Sequence, residues 1–144
     1  SSDVCSSDLY EKETTMIASG LRKMLAGEPT EFTPGMQRWE YLFSADAGRA
    51  FYLIGEKGRD GAVYCVGSGQ PALLRDYIQK MAELTDYRNP GIGARPYPKG
   101  AVMNLCADID SLYQDTGFVP EYTFEQGIRE TIAWLKSQST GDKK

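Results

Sequence analysis

Apolar residues in the segment TTMIASGLRKMLAGE recur at Ile17, Leu21, Met24 and Leu25, the i, i+4, i+7, i+8 spacing of one helical face. The pattern predicts a helix from Thr14 or Thr15 that Gly27 and Pro29 stop. In EFTPGMQRWEYLF the period shortens: Pro34-Gly35 marks a turn between two extended runs, Glu31 to Thr33 and Arg38 to Phe43. Helical spacing returns at Ala47, Ala50, Phe51 and Ile54, with Ser44 as N-cap, Asp46 in the first turn, and Gly55 and Gly58 as the end. Asp46 and Arg49 then read most simply as a cap and a solvent-facing charge.

Ala62 to Val66 is a short apolar run between glycines, the pattern of a strand buried on both faces of a parallel sheet. It leads through Gly67-Ser68-Gly69 into a helix opened by Pro71, with Leu74, Tyr77, Ile78 and Met81 on the inward side, so the unit is α/β. From Asp86 to Gly100 the chain is rich in Pro and Gly and fits neither period, which makes it a long loop of the kind that carries function or moves. Val102 to Cys106 predicts a second strand, Asp108 caps a brief helix, and Gly117 closes it with Phe118 tucked behind. In the last helix Thr123 and Gln126 form a capping box, and Phe124, Ile128, Ile132 and Leu135 build one ridge.

Composition narrows the chemistry. The 144 residues, with no internal repeat, are enough for one domain with a true core. Lys and Arg total 16 against 20 Asp and Glu, a net charge of −4, and no basic block stands out, which argues against nucleic acid or an anionic membrane as partner. No apolar run approaches a membrane span and no secretory leader is visible, so the expected location is cytoplasmic. Histidine is absent, which removes the commonest metal ligand and general base. Cys5, Cys65 and Cys106 are too scattered for a zinc site or a disulfide framework, and the last two read as small core residues. Residues 1–9, SSDVCSSDL, read as translated sequencing-adapter sequence, a natural polar tail being the alternative; residues 139–144 read as a disordered tail, leaving 10–138 as the domain.

Gly67-x-Gly69-x-x-Ala72 satisfies the letter of the dinucleotide fingerprint. The fingerprint also requires a second parallel strand ending in an acidic residue soon after the helix, and here a Pro/Gly loop follows. A tight turn close to a ligand, with Ser68 as a cap, is the preferred reading. A small dinucleotide-binding protein using Gly67 and Gly69 stays as an alternative.

Three stretches in order, FTPGMQRWEYLFSADAGRAFYLI, VYCVGSGQPALLRDYI and CADIDSLYQDTGFVPEYTFEQGIRETIAWLK, resemble the C-terminal portion of the NAD(P)-dependent epimerase/dehydratase family, the extended short-chain dehydrogenases acting on nucleotide sugars. The pattern LxxDTGFxPxxxFExGIRxTIxW is the most specific part. The resemblance implies the C-terminal portion of a Rossmann-like parallel sheet plus a small α/β substrate-binding lobe. It implies NAD or NADP in the full-length parent, a homodimeric parent, and a nucleoside diphosphate sugar as ligand.

The family's glycine-rich cofactor loop and Tyr-x-x-x-Lys pair have no counterpart here, since no Tyr is followed four places on by Lys. No catalytic residue and no cofactor held by this chain alone are therefore expected, and the chain is expected to be inactive by itself. The substrate contacts that carry over are Thr14, Thr15 and Met16 at the first helix, Thr30 and Phe32, then Gln37, Arg38 and Trp39, and Tyr97 and Lys99 in the loop. Many members have an arginine where Trp39 stands, and Arg38 lies one step earlier, on the opposite face of a strand. Trp39 and Tyr41 fit core packing equally well. A stand-alone, non-catalytic nucleotide-binding or scaffold module is the alternative from another class.

Overall fold

A computed structural model describes residues 16–141. The order of elements is α1 (Met16–Ala26), β1 (Arg38–Trp39), α2 (Ser44–Lys57), β2 (Ala72–Leu73), α3 (Leu74–Leu84), α4 (Asp110–Thr116) and α5 (Phe124–Gly141). Several helix ends follow local chemistry, but Ser44 is the first residue of α2 and not its cap, the N-cap being Phe43 with no side-chain bond. Gly27, at φ 72°, stops α1 in a Schellman pair: its N–H reaches the Met24 carbonyl (3.2 Å) and the Glu28 N–H reaches that of Lys23 (2.8 Å). The capping box of α5 is closed both ways, Gln126 N–H to Thr123 Oγ1 at 3.2 Å and Thr123 N–H to Gln126 Oε1 at 2.9 Å. Gly117 is left-handed at the end of α4, and Phe118 is fully buried behind it.

β1 is the middle of a small mixed sheet. It pairs antiparallel with β2, Arg38 opposite Leu73 and Trp39 opposite Ala72, and Arg38 also forms a parallel bridge to Asn104. Arg38 N–H bonds the Met103 carbonyl at 2.7 Å and the Arg38 carbonyl accepts from Leu105 at 2.8 Å. A second parallel bridge joins Phe32 to Ile92. The Pro34-Gly35 turn must pass close under α3, where a Cβ on Gly35 would stand 2.7 Å from the Arg75 backbone nitrogen.

Two apolar clusters hold the helices. The larger joins α1, α3 and α5 through Leu21, Met24, Ile78, Met81, Ile128, Ile132 and Leu135, with Phe32, Trp39 and Tyr41 packed on its edge. The smaller joins α2 and α4 through Ala50, Leu112 and Phe118.

Several expectations change. The run 62–66 forms no strand and pairs with no other described segment; Tyr64 and Val66 lean on the smaller cluster, while Val63 is 89% exposed and Cys65 is exposed. It thus has one covered face where two were expected. Residues 102–106 make one bridge, and Val102, Met103, Leu105 and Cys106 are exposed, so neither cysteine is a core residue. A run this apolar is legible as a strand, but which neighbours flank it is a property of the whole sheet. Phe51 is exposed, α3 begins at Leu74 because Ala72 and Leu73 are taken by β2, and Gly55 lies inside α2. Ser139 and Thr140, expected in the tail, are helical, their hydroxyls donating back to the Leu135 and Lys136 carbonyls.

Candidate functional site

The extended segment 30–39 and the loop 90–105, about sixty residues apart in sequence, are fastened along their length. Thr30 Oγ1 donates to the Pro90 carbonyl (2.8 Å), Phe32 N–H to Gly91 (3.0 Å), and the Phe32 carbonyl accepts from Gly93 and Arg95 (3.0 Å each). Met36 N–H donates to the Tyr97 hydroxyl at 3.0 Å, and Trp39 Nε1 to the Val102 carbonyl at 2.8 Å. Thr30, Phe32, Gln37, Arg38, Trp39 and Tyr97 therefore belong to one continuous wall. Lys99 sits at the exposed tip of the same loop. Met16 packs on the main cluster at the start of α1, and Thr14 and Thr15 lie outside the described residues.

Each side chain has a distinct setting. Thr30 is buried and its hydroxyl is committed to Pro90. The Phe32 ring lies against Gly20 of α1, where any Cβ would be 3.3 Å from it. Alternation along β1 puts Trp39 on the main cluster and leaves Arg38 exposed, so the packing reading of Trp39 holds. Arg38 and Lys99 form no ion pair among the described residues. Gln37 is only 3% exposed; its Nε2 donates to Thr33 Oγ1 at 3.4 Å, and its Oε1 has no partner. A buried acceptor left without a donor costs about 1–3 kcal/mol.

Sequence reasoning missed three residues. Arg75 is brought beside the wall because its N–H bonds the Gly35 carbonyl (2.9 Å), and its Nη1 lies 3.7 Å from Met36 sulfur. Nothing in the sequence pairs these two turns. Glu40 is the hub behind the wall: its carboxylate accepts from Gly69 N–H (2.7 Å), Ala107 N–H (2.9 Å) and Ser68 Oγ (3.3 Å), with Cys106 Sγ at 3.6 Å. A Cβ on Gly67 would collide with Glu40 Oε1. The signal was visible in part, as a glycine turn whose N–H groups want an anion. Asp46 is 1% exposed and no surface cap: it accepts from Glu121 N–H (3.0 Å) and Tyr122 N–H (2.9 Å) and pairs with Arg49 (3.2 Å). Arg49 in turn reaches the Val119 carbonyl and lies over the Phe118 ring, so it is a strap across α2 and the 118–122 segment.

The filled turn answers the dinucleotide question on physical grounds. Of the N–H groups that would cradle a phosphate, that of Gly69 is spent on Glu40 and that of Gln70 on Ser68 Oγ, and a phosphate there would meet the Glu40 carboxylate. Among the described residues, this turn offers a dinucleotide no open phosphate cradle. Among them there is also no cluster of metal-binding side chains, and no helix long and apolar enough to cross a membrane.

No protein-family model matches the chain. The dTDP-glucose 4,6-dehydratase of Xanthomonas campestris pv. campestris is 29% identical over 141 residues, covering 91% of this chain and 40% of the relative. The crystal structure of UDP-glucose 4-epimerase with UDP-glucose from Thermotoga maritima superposes with a TM-score of 0.80 at 26% identity, over 92% of this chain and 42% of that one. The dTDP-glucose 4,6-dehydratase of Bacillus anthracis, solved with NAD, has the same fold at TM-score 0.78 and 22% identity, over 90% of this chain and 41% of that one. The chain thus spans about 40% of the length of the relatives it matches. Sequence relatives and fold agree over nine-tenths of the chain, which is similar to the C-terminal part of NAD-dependent epimerases and dehydratases of nucleotide sugars.

Proposed function

We propose that this chain is the nucleotide-gripping portion of an NAD-dependent nucleotide-sugar dehydratase or epimerase. It holds the nucleoside diphosphate half of the substrate and contributes no reacting group. The observation that carries the reading is Gln37, a buried amide on the fastened wall whose Oε1 lacks a donor. An N–H or O–H of a bound nucleoside would satisfy it and remove the cost of leaving it unpaired. Arg38, Arg75 and Lys99, all exposed, supply positive charge near the same wall for the diphosphate. Met16, Thr30, Phe32, Trp39 and Tyr97 shape the wall, and Thr14 and Thr15 extend it. The relatives' names favour a thymidine or uridine diphosphate sugar. NAD or NADP, and the homodimer, belong to the full-length parent.

Calorimetric titration of the chain with thymidine diphosphate, uridine diphosphate and NAD tests this. A nucleoside diphosphate is expected to bind without NAD present. Gln37→Met keeps the volume and removes the orphaned acceptor, so it is expected to leave stability unchanged or higher while weakening binding about tenfold. Binding of NAD with no binding of either diphosphate, or undiminished binding to Gln37→Met, overturns the reading.

A further inference from the structure

A cavity of about 270 Å³ lies between α1, residues 41–44 and the first half of α5, and it shares no residue with the nucleotide wall. Its walls are mostly apolar, with Phe43, Phe124, Ile128 and Trp134 among them. Two of its hydroxyls are already committed: Thr123 Oγ1 accepts from Gln126 N–H at 3.2 Å and Thr131 Oγ1 donates to the Gly127 carbonyl at 2.8 Å. Arg22 of α1 also lines it, and its Nη1 is buried without any hydrogen-bond partner. Among the described residues Arg22 makes no ion pair, although the exposed Glu130 lines the same space.

A guanidinium nitrogen taken out of water and left unpaired is costly, and the cost is recovered by an anion. We propose that this cavity is a binding site for a compact amphipathic carboxylate, its apolar body between the aromatic walls and its carboxylate on Arg22. The volume, about nine water molecules at liquid density, admits one aromatic ring with a short chain. An inorganic phosphate would leave most of its oxygens facing apolar walls, so the apolar body is part of what is recognised.

Calorimetry of the full chain with 3-phenylpropionate, 3-phenylpropanol and inorganic phosphate tests the assignment. The acid is expected to bind at least about tenfold more tightly than the alcohol, with no competition from phosphate. Arg22→Gln is expected to erase that gap while leaving the alcohol's affinity unchanged, which also shows the cavity intact; Arg22→Lys is expected to keep part of the gap. Should Arg22→Gln not fold, the wild-type ratio of acid to alcohol decides alone. Equal affinities, a preference that survives in Arg22→Gln, displacement by phosphate, or no binding of the acid at about 10 mM each overturns the proposal.

Discussion

The α1/α3/α5 side and the α2/α4 side of the molecule are both helix-built, and they differ in what closes them. On the first side three helices surround Leu21, Ile78 and Met81, none of which is exposed, and Tyr41, Tyr77 and Phe124 seal the edge. Tyr41 and Tyr77 meet edge-on with ring centres 5.0 Å apart, and Tyr77 and Phe124 are 4.4 Å apart. On the second side the fully buried cluster is Ala50, Leu112 and Phe118, and its outer layer combines Leu42, Leu53 and Ile54 with Tyr64 and Val66 of the 62–66 run. That run turns Val63 and Cys65 to solvent. One side is a finished core and the other a core with a face left open. The fastened wall stands on the finished side, since Phe32 and Trp39 pack on the larger cluster.

The difference is sharpest in matched truncations. Ile78→Ala, in the finished core, is expected to lower stability by about 4 kcal/mol, because the surrounding helices cannot collapse into the void. Leu112→Ala removes a similar volume beside a loosely held layer and is expected to cost about 2 kcal/mol, the low end for this change. Urea unfolding of the two variants measures both, and an equal or larger loss for Leu112→Ala breaks the comparison. The weaker side also depends more on polar straps. Asp46→Ala leaves two backbone N–H groups and part of Arg49 unpaired, with an expected loss of about 3 kcal/mol, mostly from uncoupling the 118–122 segment from α2. A loss below about 1 kcal/mol in the same unfolding experiment shows that water replaces the carboxylate there.

How far the sequence could be read follows the same division. Every buried position of α1, α3 and α5 that the helical period predicted, from Leu21 to Leu135, is inward, and the caps at Gly27, Gly117 and Thr123 are as the residue types dictate. These are local rules, satisfied within one or two turns. The strands failed because an apolar run says that it wants burial and not what will bury it; Val63 and Leu105 have no neighbour among the described residues to do so. Asp46 and Glu40 were invisible for a different reason. Their partners, Glu121 and Tyr122 for one and Gly69 and Ala107 for the other, are 29 to 76 residues away in sequence, and no periodicity links them. The wall residues were placed by family resemblance, and the fastening of 30–39 to 90–105 could not have been read from spacing.

The smallest effect separates the two exposed thiols. Cys106 stands 3.6 Å from the Glu40 carboxylate, whereas Cys65 lies on the open face. Partial desolvation, then the charge of Glu40, holds the Cys106 thiol above its ordinary range. A raised value means less thiolate at any pH below it, so at pH 8 alkylation of Cys106 by iodoacetamide is expected to be slow and to rise with pH later than for an ordinary thiol. Glu40→Gln removes the negative neighbour and should lower that value, speeding Cys106 on the order of threefold while leaving Cys65 unchanged. Peptide-resolved mass spectrometry follows the two cysteines in one sample, with Cys65 as the internal reference. If the Cys106 to Cys65 ratio does not move in Glu40→Gln, the carboxylate does not sit beside the thiol, and the hub that ties the glycine turn to the back of the wall is misplaced.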